Sequence, residues 1–94
     1  MILKIFSVLD SKVATFSAPF HHQREASAIR DFSDAVNDAS NPNNMWHKHP
    51  EDFSLYQVGE FNSETGEIIP VNPKNLVTAS ALKSAISEAP PNEK

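Results

Sequence analysis

The feature that most limits what this chain can become is the stretch Phe53-Ser54-Leu55-Tyr56-Gln57-Val58-Gly59-Glu60-Phe61, followed by Asn62-Ser63-Glu64-Thr65-Gly66 and Glu67-Ile68-Ile69-Pro70-Val71. The first segment is rich in aromatic and branched residues spaced as in a strand. The polar segment after it ends on a glycine able to adopt positive φ, so the chain turns back as a hairpin. Gly59 marks a bulge inside the first strand, and Pro70, which has no amide donor, confines the returning strand to a sheet edge.

The rest must be organised around that hairpin by packing alone. No cysteine is present, which excludes a disulfide framework, a thiolate nucleophile and a cysteine-ligated zinc site. At 94 residues the chain supports one modest core, since folding at this size removes only about two-thirds of the unfolded surface from water. Ile2-Leu3-Lys4-Ile5-Phe6-Ser7-Val8-Leu9 reads as a central strand, apolar on both faces except at Lys4 and Ser7. It is too short for a secretion signal, which points to a cytoplasmic protein. Asp10-Ser11-Lys12 is a turn, and Val13-Ala14-Thr15-Phe16 returns as a short second strand that Pro19 ends early or holds at an edge.

From Arg24 the period becomes helical. Ala28, Ile29, Phe32, Ala35, Val36 and Ala39 share one stripe of a helix over 24–38, while Ser27, Asp31, Asp34 and Asp38 lie on the far side. Carboxylates near a helix C-terminus oppose the helix dipole, and Arg30 offsets this by pairing with Asp34. Loop chemistry follows through Asn44, and Pro50-Glu51-Asp52 steers the chain into Phe53. Beyond Asn72-Pro73, Thr78 caps a short helix to Ile86 with Leu82 and Ile86 on one side, and residues 89–94 read as a disordered tail.

These segments predict an α+β fold: a small antiparallel sheet of three to four strands with one main helix packed on one face. A single domain is expected over 1–72, with an extension over 73–94. The expected core is Leu3, Ile5, Val8, Ile29, Phe32, Val36, Leu55, Val58 and Ile68. The second sheet face, or an edge, is left for a homodimer to cover.

Charge is more telling by region than in its total of −4. Four basic and two acidic residues precede position 31, one basic and eight acidic lie within 31–67, and three basic and two acidic follow. The middle is acidic, and the dispersed cations restrict any nucleic-acid contact to a local patch. Lys48 with His47, His49 and Trp46 forms the candidate patch, with Tyr56 as a further stacking group and Arg24 as an added cation; basic and aromatic groups together hold phosphates and stack on single-stranded bases. Asp31, Asp34 and Asp38 form the candidate face for a protein partner. His21-His22 and His47/His49 lack a metal-site signature, and Glu51-Asp52 comes without a nucleophile or phosphate cradle, so no catalytic residue, metal or cofactor is assigned.

The segments Phe6-Ser7-Val8-Leu9-Asp10-Ser11-Lys12, Ala28-Ile29-Arg30-Asp31-Phe32-Ser33-Asp34-Ala35-Val36-Asn37-Asp38 and Lys48-His49-Pro50-Glu51-Asp52-Phe53-Ser54-Leu55-Tyr56-Gln57-Val58-Gly59-Glu60-Phe61, in this order and with the Glu64-Thr65-Gly66 turn, resemble the small non-structural protein of gokushovirus-type microviruses. These are bacteriophages with small circular single-stranded DNA genomes, and the resemblance spans about residues 2–70. It implies a non-enzymatic, non-virion accessory protein of the host cytoplasm, acting in the switch from duplex DNA replication to single-strand synthesis and genome packaging. Phage or host replication proteins and the procapsid are the implied partners, with no membrane. The acidic balance departs from a freestanding DNA binder, so the DNA connection is expected to run mainly through a protein, with direct single-stranded DNA binding as the alternative.

Overall fold

In the computed structural model, residues 1–87 are described, with side chains through Lys83. The elements in chain order are β1 (Ile2–Asp10), β2 (Thr15–Phe16), β3 (Phe20–His22), α1 (Glu25–Val36), α2 (Met45–Lys48), a 3-10 turn over Pro50–Asp52, β4 (Phe53–Asn62), β5 (Ile68–Thr78) and α3 (Ala79–Ser87). The strands make one antiparallel five-stranded sheet, in which β4 lies between β1 and β5 while β2 and β3 both pair with the outer edge of β1. This is the expected α+β arrangement. Among the described residues, no helix is long and apolar enough to cross a membrane.

The hairpin forms as its turn chemistry dictates. Gly66 has φ 78°, its amide donates to the Asn62 carbonyl at 2.7 Å, and Asn62 Oδ1 accepts from the Glu64 amide at 2.9 Å. β5 is an edge strand, as Pro70 requires, yet it runs on through Thr78 where the sequence predicted an end at Val71. The prolines do not end it because they coincide with an irregularity: Gly59 faces Pro70, Gln57 faces Lys74, and the residues between bulge out before pairing resumes. Pro19 does end β2, but the chain pairs again as β3, which the sequence reading missed; a three-residue strand is held by its register with Lys4, Ile5 and Phe6 and by the Phe6–Phe20 ring contact at 6.1 Å.

The bulge read at Gly59 is present and sets the phase of the whole sheet. Ile5 faces Gly59 but Phe6 faces Gln57, leaving Val58 without a partner in β1. On one face Phe6, Val8, Phe53 and Leu55 meet Ala28, Phe32 and Val36 of α1 and Ala79 of α3, and these are the buried hydrophobic residues among those described. Burying a side chain the size of Phe32 contributes about 1.5–3 kcal/mol. The helix layer is thus broader than the one main helix expected on this face, because the short helix read after Thr78 forms as α3 and returns onto it with Leu82 against the core.

Four of the expected core positions, Val8, Phe32, Val36 and Leu55, are buried, and Ile29 packs partly buried against them. The others are corrected. Leu3 and Ile5 are only half-buried on the opposite sheet face, Val58 is half-buried at the bulge, and Ile68 is 68% exposed. Phe6, Ala28, Phe53 and Ala79 take their places. Thr78 immediately precedes α3, close to the expected start, and its hydroxyl meets Ser54 Oγ at 3.0 Å. The side chain of Ile86 and the tail over 89–94 lie outside the described part.

Candidate functional site

The end of α1 explains most of what the sequence flagged between Asp31 and His49. A helix leaves its last carbonyls unpaired, and the usual remedy is a left-handed glycine just beyond it. Here Asn37 follows Val36 at φ −93°, and side chains add to the backbone bonds from the Asn37 amide to the Ser33 carbonyl at 3.1 Å and from the Asp38 amide to the Ala35 carbonyl at 3.3 Å. Asn37 Nδ2 donates to the Ser33 carbonyl at 2.8 Å. Asn44 Nδ2 donates to the Ala35 carbonyl at 2.7 Å and the Asp38 carbonyl at 2.9 Å. His47 Nδ1 lies 3.0 Å from the Val36 carbonyl, which can only accept, so that nitrogen carries the proton. Lys83 Nζ then donates to the His47 carbonyl at 2.7 Å and joins α3 to the same knot.

Trp46 is held from both sides in the helix layer, 5.2 Å from the Phe32 ring and 6.4 Å from Phe53. Tyr56 lies across the sheet, on the opposite face beside Phe16 at 5.4 Å. Of the candidate nucleic-acid residues only Lys48 and His49 remain exposed together near this end of α1, whereas Arg24 stands at the helix's other end, about 18 Å away along twelve residues of helix. The fold therefore takes the proposed patch apart. Trp46, Asn44, Met45, Ala35, Asp38, Asn41 and Asn43 instead line an open depression of about 480 Å³ beside the end of α1.

The acidic residues also separate. Asp31 meets His22 Nε2 at 3.0 Å and ties α1 to β3. Asp38 lies beyond the helix, where its carboxylate accepts from the Ser40 hydroxyl and from the Ser40 amide at 2.9 Å. The Ser40 hydroxyl, then its amide, hold that carboxyl below its ordinary 3.8, with a smaller contribution from His47. Asp34 is exposed on the outer helix surface. Among the described residues it forms no ion pair with Arg30, a correction to the expected pairing; two mobile exposed side chains gain little from each other in water.

The histidine pairs do not act as pairs. His21 and His22 are neighbours on a strand and point to opposite faces. His47 is taken by Val36, and His49 instead approaches Glu51 and Asp52, with one ligand atom from each within 4.8 Å of the others. Glu51 and His49 are open to water, and exposed carboxylates gather in this way without holding an ion.

Residues 3–82 match the family described as Phage ORF5 protein. The chain belongs to the phage ORF5 protein family. It is 33% identical over 69 residues to Protein ORF5 of Chlamydia phage 1, a match covering 71% of each chain. Both comparisons support a small microvirus-type phage protein, in agreement with the resemblance read from the sequence. No solved structure matches it.

The ORF5 family match runs from the start of β1 into α3 and so includes both sheet faces and the start of the third helix. What the sequence reading left unassigned in this ORF5 protein is the sheet face turned away from the helices. Leu3, Ile5, Leu9, Phe16, Phe61 and Ile68 share it by register. Its signal was present in Gly59: a bulge there reverses the phase of β4, so Phe61 cannot point the same way as Phe53 and Leu55.

Proposed function

We propose that this ORF5 protein is a non-structural accessory factor that acts by binding, without catalysis, in the host cytoplasm. Its step is the switch from duplex DNA replication to single-strand synthesis coupled to packaging, and its contacts are replication proteins and the procapsid. The observation that carries the protein-partner form of this reading is the dispersal of the candidate DNA patch: Trp46 and His47 serve the helix layer and Arg24 stands at the far end of α1. Of the candidate cations Lys48 is left there, beside a Lys83 already engaged on the His47 carbonyl, and strong non-specific DNA binding needs several phosphate contacts. The outer surface of α1, with Asp34 exposed, suits a basic protein partner.

Direct single-stranded DNA binding is the second reading, favoured by the joint exposure of Lys48 and His49. A salt titration with a labelled oligonucleotide separates the two. Steeply salt-dependent affinity that disappears in Lys48→Ala replaces the protein-partner reading with the second. For the role itself, infected cells lacking the functional gene are expected to accumulate duplex viral DNA and package little single-stranded genome. An unchanged ratio of the two DNA forms would refute it.

A further inference from the structure

We infer that the sheet face opposite the helices is a self-association surface, on which the same face of a second copy docks. The inference stands apart from the replication role and rests on the chemistry of that face.

None of the residues that the ladders place on this face is Lys, Arg, Asp or Glu, in a chain that is 21% charged. The charged residues of the same strands, Lys4, Asp10, Glu60 and Lys74, all fall on the helix side. Solvent does not require such a segregation, and an acidic chain of net charge −4 gains from it if copies meet there. A face without charges brings no like charges together across a two-fold axis.

The face also supplies both halves of a self-complementary fit, as an isologous contact requires. Ile68 projects at 68% exposure and Phe16 at 40%. Beside them lies an open apolar depression of about 280 Å³ lined by Leu3, Ile5, Pro19, Phe20, His21 and Phe61. Four strand rows about 4.8 Å apart and about 30 Å long give roughly 600 Å² in plan before side-chain relief. A standard stable interface takes about 800 Å² from each partner. Two such sheets stack about 10 Å apart, leaving room for these side chains to interdigitate.

Other occupants fit less well. Association through the β5 edge would need amide donors that Pro70 and Pro73 lack, along a strand whose ladder is irregular. Phe16, Tyr56 and Phe61 could stack nucleobases, but among the described residues that the ladders place on this face no Lys or Arg accompanies them to hold phosphates. Residues 88–94, Glu-Ala-Pro-Pro-Asn-Glu-Lys, contain no large aliphatic or aromatic side chain to fill the depression.

Sedimentation equilibrium of the full chain across the micromolar range tests this, alongside Ile68→Glu, Phe16→Glu and the control Ser27→Glu, which adds the same charge at an exposed position of α1. Circular dichroism and Trp46 emission establish that each variant is folded. The wild type is expected to dimerise reversibly. Each of the two glutamates on the face enters the interface twice, by symmetry, and is expected to raise the dissociation constant at least about tenfold, while Ser27→Glu leaves it unchanged. A wild type that stays monomeric throughout the range, or a dimer indifferent to both glutamates on the face, overturns the inference. So does a monomer that binds a labelled single-stranded oligonucleotide and loses it in both variants, which assigns the face to DNA.

Discussion

Asn44 is the side chain on which the helix layer turns, and its replacement separates two roles that the geometry combines. Its amide nitrogen donates to the Ala35 and Asp38 carbonyls at 2.7 and 2.9 Å, and its oxygen accepts from the His47 amide at 3.4 Å as the N-cap of α2. The first bond is partly buried, the second exposed and the third long. At about 0.5–1.5 kcal/mol net per bond, Asn44→Ala is expected to cost about 2 kcal/mol, or about 10 °C in Tm for a domain of this size. Asn44→Asp is the informative partner. Aspartate caps a helix start as well as asparagine does, but it cannot donate and would turn a carboxylate toward two carbonyl oxygens. If donation to α1 dominates, Asp at this position is at least as damaging as Ala. Urea unfolding followed by Trp46 emission, the single tryptophan, measures both. An Asn44→Asp protein as stable as wild type, or an Asn44→Ala loss below about 0.5 kcal/mol, would refute the view that this residue closes α1.

Three further outcomes follow from the same geometry. Because the Asp38 carboxyl sits below its ordinary 3.8 in the folded chain, the small stability it contributes is present above that pH and lost as pH falls through the folded value; NMR titration is expected to show the lowered midpoint, moving back up in Ser40→Ala, and an unmoved midpoint counts against the Ser40 bonds as its cause. Gly59→Val places a Cβ 3.1 Å from the Ile69 carbonyl oxygen and 3.6 Å from Ile5 Cδ1, with an expected loss of about 1–3 kcal/mol by overpacking in urea titration; wild-type stability would mean the bulge tolerates a side chain. Phe32→Ala removes a buried ring that Trp46 packs against and is expected to cost about 3–5 kcal/mol with a red shift of Trp46 emission in the folded state, whereas an unshifted emission would place Trp46 elsewhere.

How far the sequence carries depends on whether a signal is local. The amphipathic stripe of α1, the turn at Gly66 and the edge position of Pro70 follow from period and backbone chemistry within a few residues, and each is found close to where it was read, except that α1 ends at Val36 rather than 38 and leaves Ala39 exposed beyond it. β3 and the second half of β5 depend on partners far along the chain. Phe20-His21-His22 and Lys74-Asn75-Leu76-Val77 carry no strong period of their own and are strands because β1 and β4 pair with them. The candidate site failed to assemble for a related reason. Trp46, His47 and Lys48 are consecutive, but a single turn of helix sends Trp46 toward Phe32, His47 onto Val36 and Lys48 into solvent. Adjacency in sequence gives no warning of that divergence, whereas the absence of a glycine after Val36 does hint that some side chain must close the helix.

The bulge links the two ends of this reading. Phe6 faces Gln57, so an unbroken ladder would set Ile5 against Val58, Lys4 against Gly59 and Leu3 against Glu60, putting a carboxylate on the open face. The extra residue at Val58 shifts the register by one, so that Ile5 faces Gly59, Lys4 faces Glu60 and Leu3 faces Phe61. One inserted position thus moves Glu60 to the helix side, opposite a lysine, and turns Phe61 outward beside Leu3 and Ile5. Cross-strand pairing of Lys4 with Glu60 contributes at most about 1 kcal/mol, and Phe61 becomes half-buried beside Leu3 and Ile5. A second surface laid over this face would bury what Phe61 leaves open, and the surface that Phe61 completes is uncharged and opposite the helices. The register of β4 therefore serves both faces: it keeps Phe53 and Leu55 in the core and gathers Phe61 with Leu3 and Ile5 on the uncharged face.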